Sequence, residues 1–150
     1  MTIPPLPSST TREDAAPDFS LDLFDGSRFT LSTHLSDDGR PVILNLWASW
    51  CPPCRAEMPD FSNASIAHPE VLILGVAVDD DPLAAAAFVD EFEIAYPTGY
   101  DETGEVGHAF PAPGLPATYV ISADGDLITN VFGTLIPQDI EALIEVALGS

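Results

Sequence analysis

The 150-residue chain has two cysteines, and both lie in "WASWCPPCRAEMP", residues 47–59, as Cys51 and Cys54 with Pro52 and Pro53 between them. The preceding "PVILNLW" at 41–47 is almost continuously apolar, the pattern of a strand buried on both faces. Residues from about Pro52 to Ala67 read as a helix, since its first turn tolerates Pro52 and Pro53, while Pro59 is expected to kink its interior. A Cys-x-x-Cys pair that ends a buried strand and opens a helix sits where backbone N–H groups and the helix dipole favour an anion, which lowers a thiol pKa. The thiolate is the attacking species in disulfide exchange. Cys51, on the exposed turn, is therefore the expected nucleophile, and Cys54, one turn in, is placed to resolve the mixed disulfide. Pro52 and Pro53 stiffen the ring and remove N–H donors, and both effects bear on its redox balance.

Three other uses of the pair fit less well. A structural bridge over so short a loop removes little chain entropy. Zinc needs four ligands, and one Cys-x-x-Cys with the scattered His34, His68 and His108 has no ligand spacing. Covalent haem attachment wants a histidine where Arg55 stands. No cofactor and no metal are implied, and the chemistry is electron transfer between thiols and disulfides.

The elements that must position this pair follow from the hydrophobic pattern. Phe19–Leu23 and Arg28–Leu31 alternate around the turn signal "DGS", predicting a hairpin. One helical turn is expected at "STHL", 32–35, followed by the strand at 41–47, the helix from Pro52 and a second buried strand, "EVLILGVAV", at 70–78. "DDDP" leads into a helix over "LAAAAFVDEF" opened by Pro82. An extended piece near Tyr96–Tyr100 and a short helix near Glu102–Phe110 come next. The strands "ATYVIS" at 117–122 and "LITNVFG" at 127–133 flank an Asp124-Gly125 turn. A final helix near Pro137 places Ile136, Ile140, Leu143, Ile144 and Ala147 on one face. Phe88, Phe92 and Phe110 are expected in the core, and "DDD" at 79–81 reads as a solvated turn, since it lacks the spaced ligands of a calcium loop. The order implies an α/β fold with a mixed central β-sheet flanked by helices.

Composition bounds the partners. Four arginines and no lysine stand against 24 acidic residues, for a net charge of −20, and such a surface repels nucleic acid and anionic lipid. Basic or neutral proteins fit better, and the acidity itself is read as genome composition or adaptation to salt. Residues 1–17 hold no apolar run long enough for a signal-peptide core or a membrane span. Their Pro, Ser and Thr content suits a flexible leader over 1–16, and equally the remnant of a longer precursor from which a signal or anchor was cut, with one domain over 17–150.

From about Ala16 onward the chain resembles the thioredoxin superfamily, in particular its extracytoplasmic branch of TlpA, ResA and DsbE-like thiol-disulfide oxidoreductases. "WASWCPPC" is similar to that branch's active-site signature, Pro59 matches its helix-kinking proline, and "GLPATYVI" fits its cis-proline loop, with Pro116 as the cis residue. The hairpin at 19–31 and the central helix and strand insert between Val78 and Pro116 also resemble the branch. The resemblance implies a thioredoxin fold and a monomer outside the cytoplasm that reduces disulfides of exported proteins, such as apocytochrome c, and is itself reduced by a membrane thiol-disulfide donor. It further implies a substrate surface formed by Trp50, Pro52, Pro53, Leu115 and Pro116, with Trp50 against the disulfide as an apolar lid and Trp47 packed within the fold.

Asn45 stands where thioredoxins proper keep a buried aspartate that helps deprotonate the resolving thiol, a role an amide cannot fill. Glu57, three residues after Cys54, matches a glutamate of this branch and is the expected acceptor of the Cys54 proton. The bland alternative for Glu57 is a solvated helix residue, paired with Arg55 or with nothing. Rival functions are a disulfide-donating oxidant of the same fold, a peroxiredoxin-like peroxidase, which the Cys-Pro-Pro-Cys site disfavours, and a non-catalytic binding module with a static disulfide.

Overall fold

The computed structural model describes residues 14–149. The expected leader lies outside the described residues up to position 13, and its last three positions border the sheet: Ala15 bridges Asp126, and the Ala16 N–H donates to the Gly125 carbonyl at 2.8 Å.

Seven strands form one sheet: β1 (Ser20–Leu23), β2 (Arg28–Thr30), β3 (Val42–Trp47), β4 (Leu72–Ala77), β5 (Thr98–Tyr100), β6 (Ala117–Ile121) and β7 (Leu127–Phe132). Their order across the sheet is β2-β1-β5-β4-β3-β6-β7. The β5-β4-β3 pairings are parallel and all others antiparallel, so the sheet is mixed as the sequence implies. Among the described residues five helices cover it: α1 (Leu31–Asp37), α2 (Pro52–Ala67), α3 (Pro82–Glu91), α4 (Glu105–Ala109) and α5 (Pro137–Leu148).

Alternation along the central strands sorts side chains onto two cores. Ile43, Trp47, Ile73, Ala77 and Val120 face one side, where Met58 and Phe61 of α2, Phe88 of α3 and Ile140, Leu143 and Ile144 of α5 pack on them. Val42, Leu44, Leu46, Leu74, Val76 and Tyr119 face the other, against the hairpin, Leu31 of α1 and Val106 of α4. Both faces of β3 and β4 are buried throughout, which is why their sequences read as unbroken apolar runs. Asn45 is the exception on β3, and it points into the α2 side with Ile43 and Trp47.

Some boundaries and burials differ from expectation. The helix after β2 is longer than the single turn expected. The helix expected over 102–110 is shorter, because the Asp101 carboxylate accepts the Val106 and Gly107 N–H groups and Gly104, at φ 80°, opens it. Phe92 is exposed rather than in the core: it caps the end of α3 and stacks outside Phe88, with ring centroids 4.6 Å apart. Ile136 is exposed too, because it precedes the helical face as the N-cap residue of α5, where its N–H is taken by Asp139. No helix among the described residues is long and apolar enough to cross a membrane.

Candidate active site

β3 ends at Trp47, and Ala48, Ser49 and Trp50 carry the chain to Cys51, the N-cap of α2. This turn is tied down from the neighbouring loop. Asp80 accepts the Ser49 N–H at 2.6 Å and the Ser49 hydroxyl at 2.8 Å, while Asp81 caps α3 by accepting from the Leu83 N–H. The acidic triplet after β4 is thus a structural clamp on the site as well as a solvated turn. Asp79 adopts the left-handed region at φ 50°, which a short polar side chain tolerates, and its carbonyl accepts the Trp50 indole N–H at 2.8 Å.

Cys51 and Cys54 are joined in a disulfide. Cys51 is 4% exposed and Cys54 is fully buried, an asymmetry that leaves Cys51 the sulfur reachable from outside. The Cys51 sulfur accepts the Cys54 N–H at 3.3 Å. Pro52 and Pro53 occupy the first two helical positions and have no N–H to offer, so this sulfur faces one backbone donor where an ordinary helix start would present more.

Glu57 follows Cys54 by three residues on α2, and its side chain is completely buried. It pairs neither with Arg55 nor with solvent. One carboxylate oxygen accepts the Asn45 Nδ2–H at 2.8 Å and the other the Leu135 N–H at 2.9 Å. Asn45 also donates to the Thr118 hydroxyl at 3.2 Å. Burial is the dominant influence and pushes the Glu57 pKa up to about 7, against the two hydrogen bonds, which lower it, and with a smaller push from the Asp60 charge. Such a carboxyl is poised to exchange a proton near neutral pH. Arg55 instead lays its guanidinium over the Phe88 ring, 4.7 Å from the centroid, and donates to the Ser49 carbonyl.

The Leu115–Pro116 peptide bond is cis and lies immediately before β6, the neighbour of β3. Leu115 and Trp50 line a groove of about 370 Å³ together with Leu46, Val78, Phe110 and Pro113. Trp50 is 60% exposed, and its ring forms one wall of this groove, where the resemblance expects an apolar lid that is also part of the substrate surface. Trp47 is buried in the core. Pro52 and Pro53 are exposed beside the disulfide. Of the histidines, His34 contacts the Arg40 carbonyl and His68 pairs with Glu141.

Sequence reasoning considered Asn45 only as the loss of an aspartate and passed over Thr118 and the Leu135 N–H, the three groups that build the Glu57 environment. One signal was available: an amide inside "VILNLW" is a polar group in a doubly buried strand and must find a partner.

Comparison with known proteins agrees with this geometry. The AhpC/TSA family pattern matches residues 13–129. The thiol-disulfide oxidoreductase ResA of Oceanobacillus iheyensis is 35% identical over 134 residues, which span 87% of this chain and 70% of that protein. A thiol:disulfide interchange protein of the thioredoxin family from Chlorobium tepidum superposes with a TM-score of 0.81 at 30% identity, covering 90% of this chain and 96% of that one. A secreted Mycobacterium tuberculosis disulfide oxidoreductase homologous to E. coli DsbE gives a TM-score of 0.75 at 27% identity, over 85% of this chain and 95% of that one.

Proposed function

The chain belongs to the AhpC/TSA family and is a thioredoxin-fold thiol-disulfide oxidoreductase, and from that premise we propose that it runs as a reductant of disulfides in exported proteins, apocytochrome c among them. The observation that carries the direction is the single backbone donor at Cys51. A strong oxidant of this class draws its power from a stabilised reduced form. Here Pro52 and Pro53 withhold two N–H groups from the Cys51 thiolate, and a carboxyl sits buried three residues after Cys54, so the reduced state gains little and electrons leave readily.

The Cys51 thiolate attacks one sulfur of the substrate disulfide and forms a mixed disulfide, while the other substrate sulfur leaves as a thiolate. Cys54 gives its proton to Glu57 and attacks Cys51, which releases the second substrate thiol and leaves the Cys51–Cys54 disulfide. Two electrons pass from the pair to the substrate. The groove beside Trp50 and Leu115 supports contact with a substrate segment, and the backbone of Leu115 before Pro116 is available for short β-type pairing. A membrane thiol-disulfide donor regenerates the dithiol, and the protein works outside the cytoplasm as a monomer. The secreted Mycobacterium tuberculosis protein of similar structure supports that location.

Insulin reduction in the presence of dithiothreitol tests the reading. The protein is expected to shorten the lag before the insulin B chain precipitates, in proportion to its concentration. No acceleration at any concentration would mark the disulfide as static and return the chain to a binding module.

A further inference from the structure

The groove of about 370 Å³ beside Trp50 joins apolar walls to acidic groups. Leu46, Val78 and Phe110 line it, and its two charged lining residues are both aspartates, Asp79 and Asp101. No basic side chain among the described residues forms an ion pair with either carboxylate. Asp79 is exposed, and its backbone carbonyl, not its carboxylate, holds the Trp50 indole. Asp101 is 8% exposed, and its two oxygens accept the Val106 N–H at 3.0 Å and the Gly107 N–H at 2.8 Å, which leaves each with further acceptor capacity. Gly107 also lines the groove, and a Cβ there would lie 3.3 Å from Asp101 Oδ2 and 4.0 Å from Val78 Cγ1. The missing side chain thus leaves that oxygen uncovered on the groove side. A divalent cation wants more oxygen ligands than two carboxylates offer, and the described residues contain no group of three or more side chains that could hold a metal. A purely apolar occupant would leave the carboxylates without a partner. A long side chain with a cationic head satisfies both parts, its stem along the apolar walls and its head among the aspartates. The Trp50 ring, fixed through its N–H and 60% exposed, adds a face for a cation–π contact.

Resting on the reading of the chain as a disulfide reductant, we infer that this groove is a specificity pocket for a lysine or arginine side chain lying close to the disulfide cysteine of the substrate protein. Trp50 directly precedes Cys51 and Leu115 directly precedes the cis-proline, so a substrate segment whose cysteine meets Cys51 carries a neighbouring side chain over the groove. The net charge of −20 draws basic segments from a distance, and the groove adds a short-range choice among them.

Binding and exchange are measured separately, so that the pocket and the reductant reading can fail independently. Cysteine-free octapeptides of glycine and serine with one central lysine, arginine, norleucine or glutamate are titrated into the oxidised protein. The Trp50 indole N–H is followed by nitrogen-15 NMR, with the buried Trp47 indole as the internal control. The lysine and arginine peptides are expected to bind about tenfold more tightly than the norleucine peptide, which has the stem without the charge, and the glutamate peptide is expected to bind most weakly. Asp79→Asn suits the left-handed backbone and leaves the carbonyl on Trp50 in place, while Gly107→Ala covers Asp101 Oδ2 without altering the net charge. Each is expected to cut the preference for lysine over norleucine about threefold. Glu145→Gln, on α5 and outside the groove, is expected to leave it unchanged. Equal binding of the lysine and norleucine peptides, binding of neither, or a preference that Glu145→Gln lowers as much as Asp79→Asn would overturn the inference. The same peptides with an adjoining cysteine, supplied as disulfide-linked dimers to the reduced protein, test the reductant reading. A binding preference with no oxidation of the Cys51 and Cys54 pair by any of them keeps the pocket and removes the reductase.

Discussion

Cys54→Ser is expected to hold its substrate as a covalent adduct on Cys51, visible as a dithiothreitol-sensitive band on a non-reducing gel and as the summed mass in a mass spectrum. The expectation follows from the burial of the two sulfurs. Cys51 is the one that an incoming disulfide can reach, and Cys54, fully enclosed, can attack only inward, onto Cys51. Without the Cys54 thiolate the mixed disulfide has no internal escape, so it accumulates and turnover falls to the background of uncatalysed exchange. Cys51→Ser loses turnover equally but forms no adduct, because nothing attacks in the first place. An adduct on Cys51→Ser and none on Cys54→Ser would reverse the two roles.

Glu57→Gln is expected to slow exchange and stabilise the protein, a combination that a merely structural glutamate would not give. As proton acceptor Glu57 must be ionised, so wild-type activity rises with pH through about 7. The variant loses that limb and runs about 10²-fold slower on the alkaline side. Stability moves the other way. The folded-state pKa lies above the ordinary carboxyl value of 4.5, so the native protein binds more protons than the unfolded chain between about 4.5 and 7. Wild-type stability therefore falls as pH rises across that window, and the full cost, roughly 3 kcal/mol, is present above it.

Glutamine carries no charge to bury, and it can keep the local bonds. Its oxygen can accept the Leu135 N–H while its amide donates to an Asn45 turned to present the oxygen that now lacks a partner. Urea denaturation of oxidised protein, in which no thiol titrates, is expected to show the variant more stable than wild type at pH 8 and nearly equal at pH 5. Equal stability at both pH values would show that Glu57 is not buried as an ionised carboxyl at pH 8.

Much of this arrangement was legible in local sequence. The apolar run before Cys51 and the two prolines after it define the strand, the turn and the helix start with no long-range information, and α2 begins at Pro52 as read. The loop before "ATYVI" likewise announced a proline at the start of a strand. What escaped was contact between residues far apart in the chain: Glu57 meets Leu135 from 78 positions away, and Asn45 meets Thr118 from 73. Periodicity tells which face a residue occupies and not which residue stands opposite, so a glutamate on a helix with several polar neighbours looked equally ready for solvent. Trp50 shows the converse limit. Its place beside the cysteines was plain from spacing, but its exposure depends on the Asp79 carbonyl reaching it from the loop after β4.

Whether this pair gives electrons away is decided by the equilibrium reduction potential of Cys51 and Cys54. Titration against dithiothreitol, followed by thiol alkylation, is expected to return a value near that of thioredoxin, roughly −270 mV, whereas a value near the strong oxidant DsbA, about −120 mV, would contradict the reductant reading.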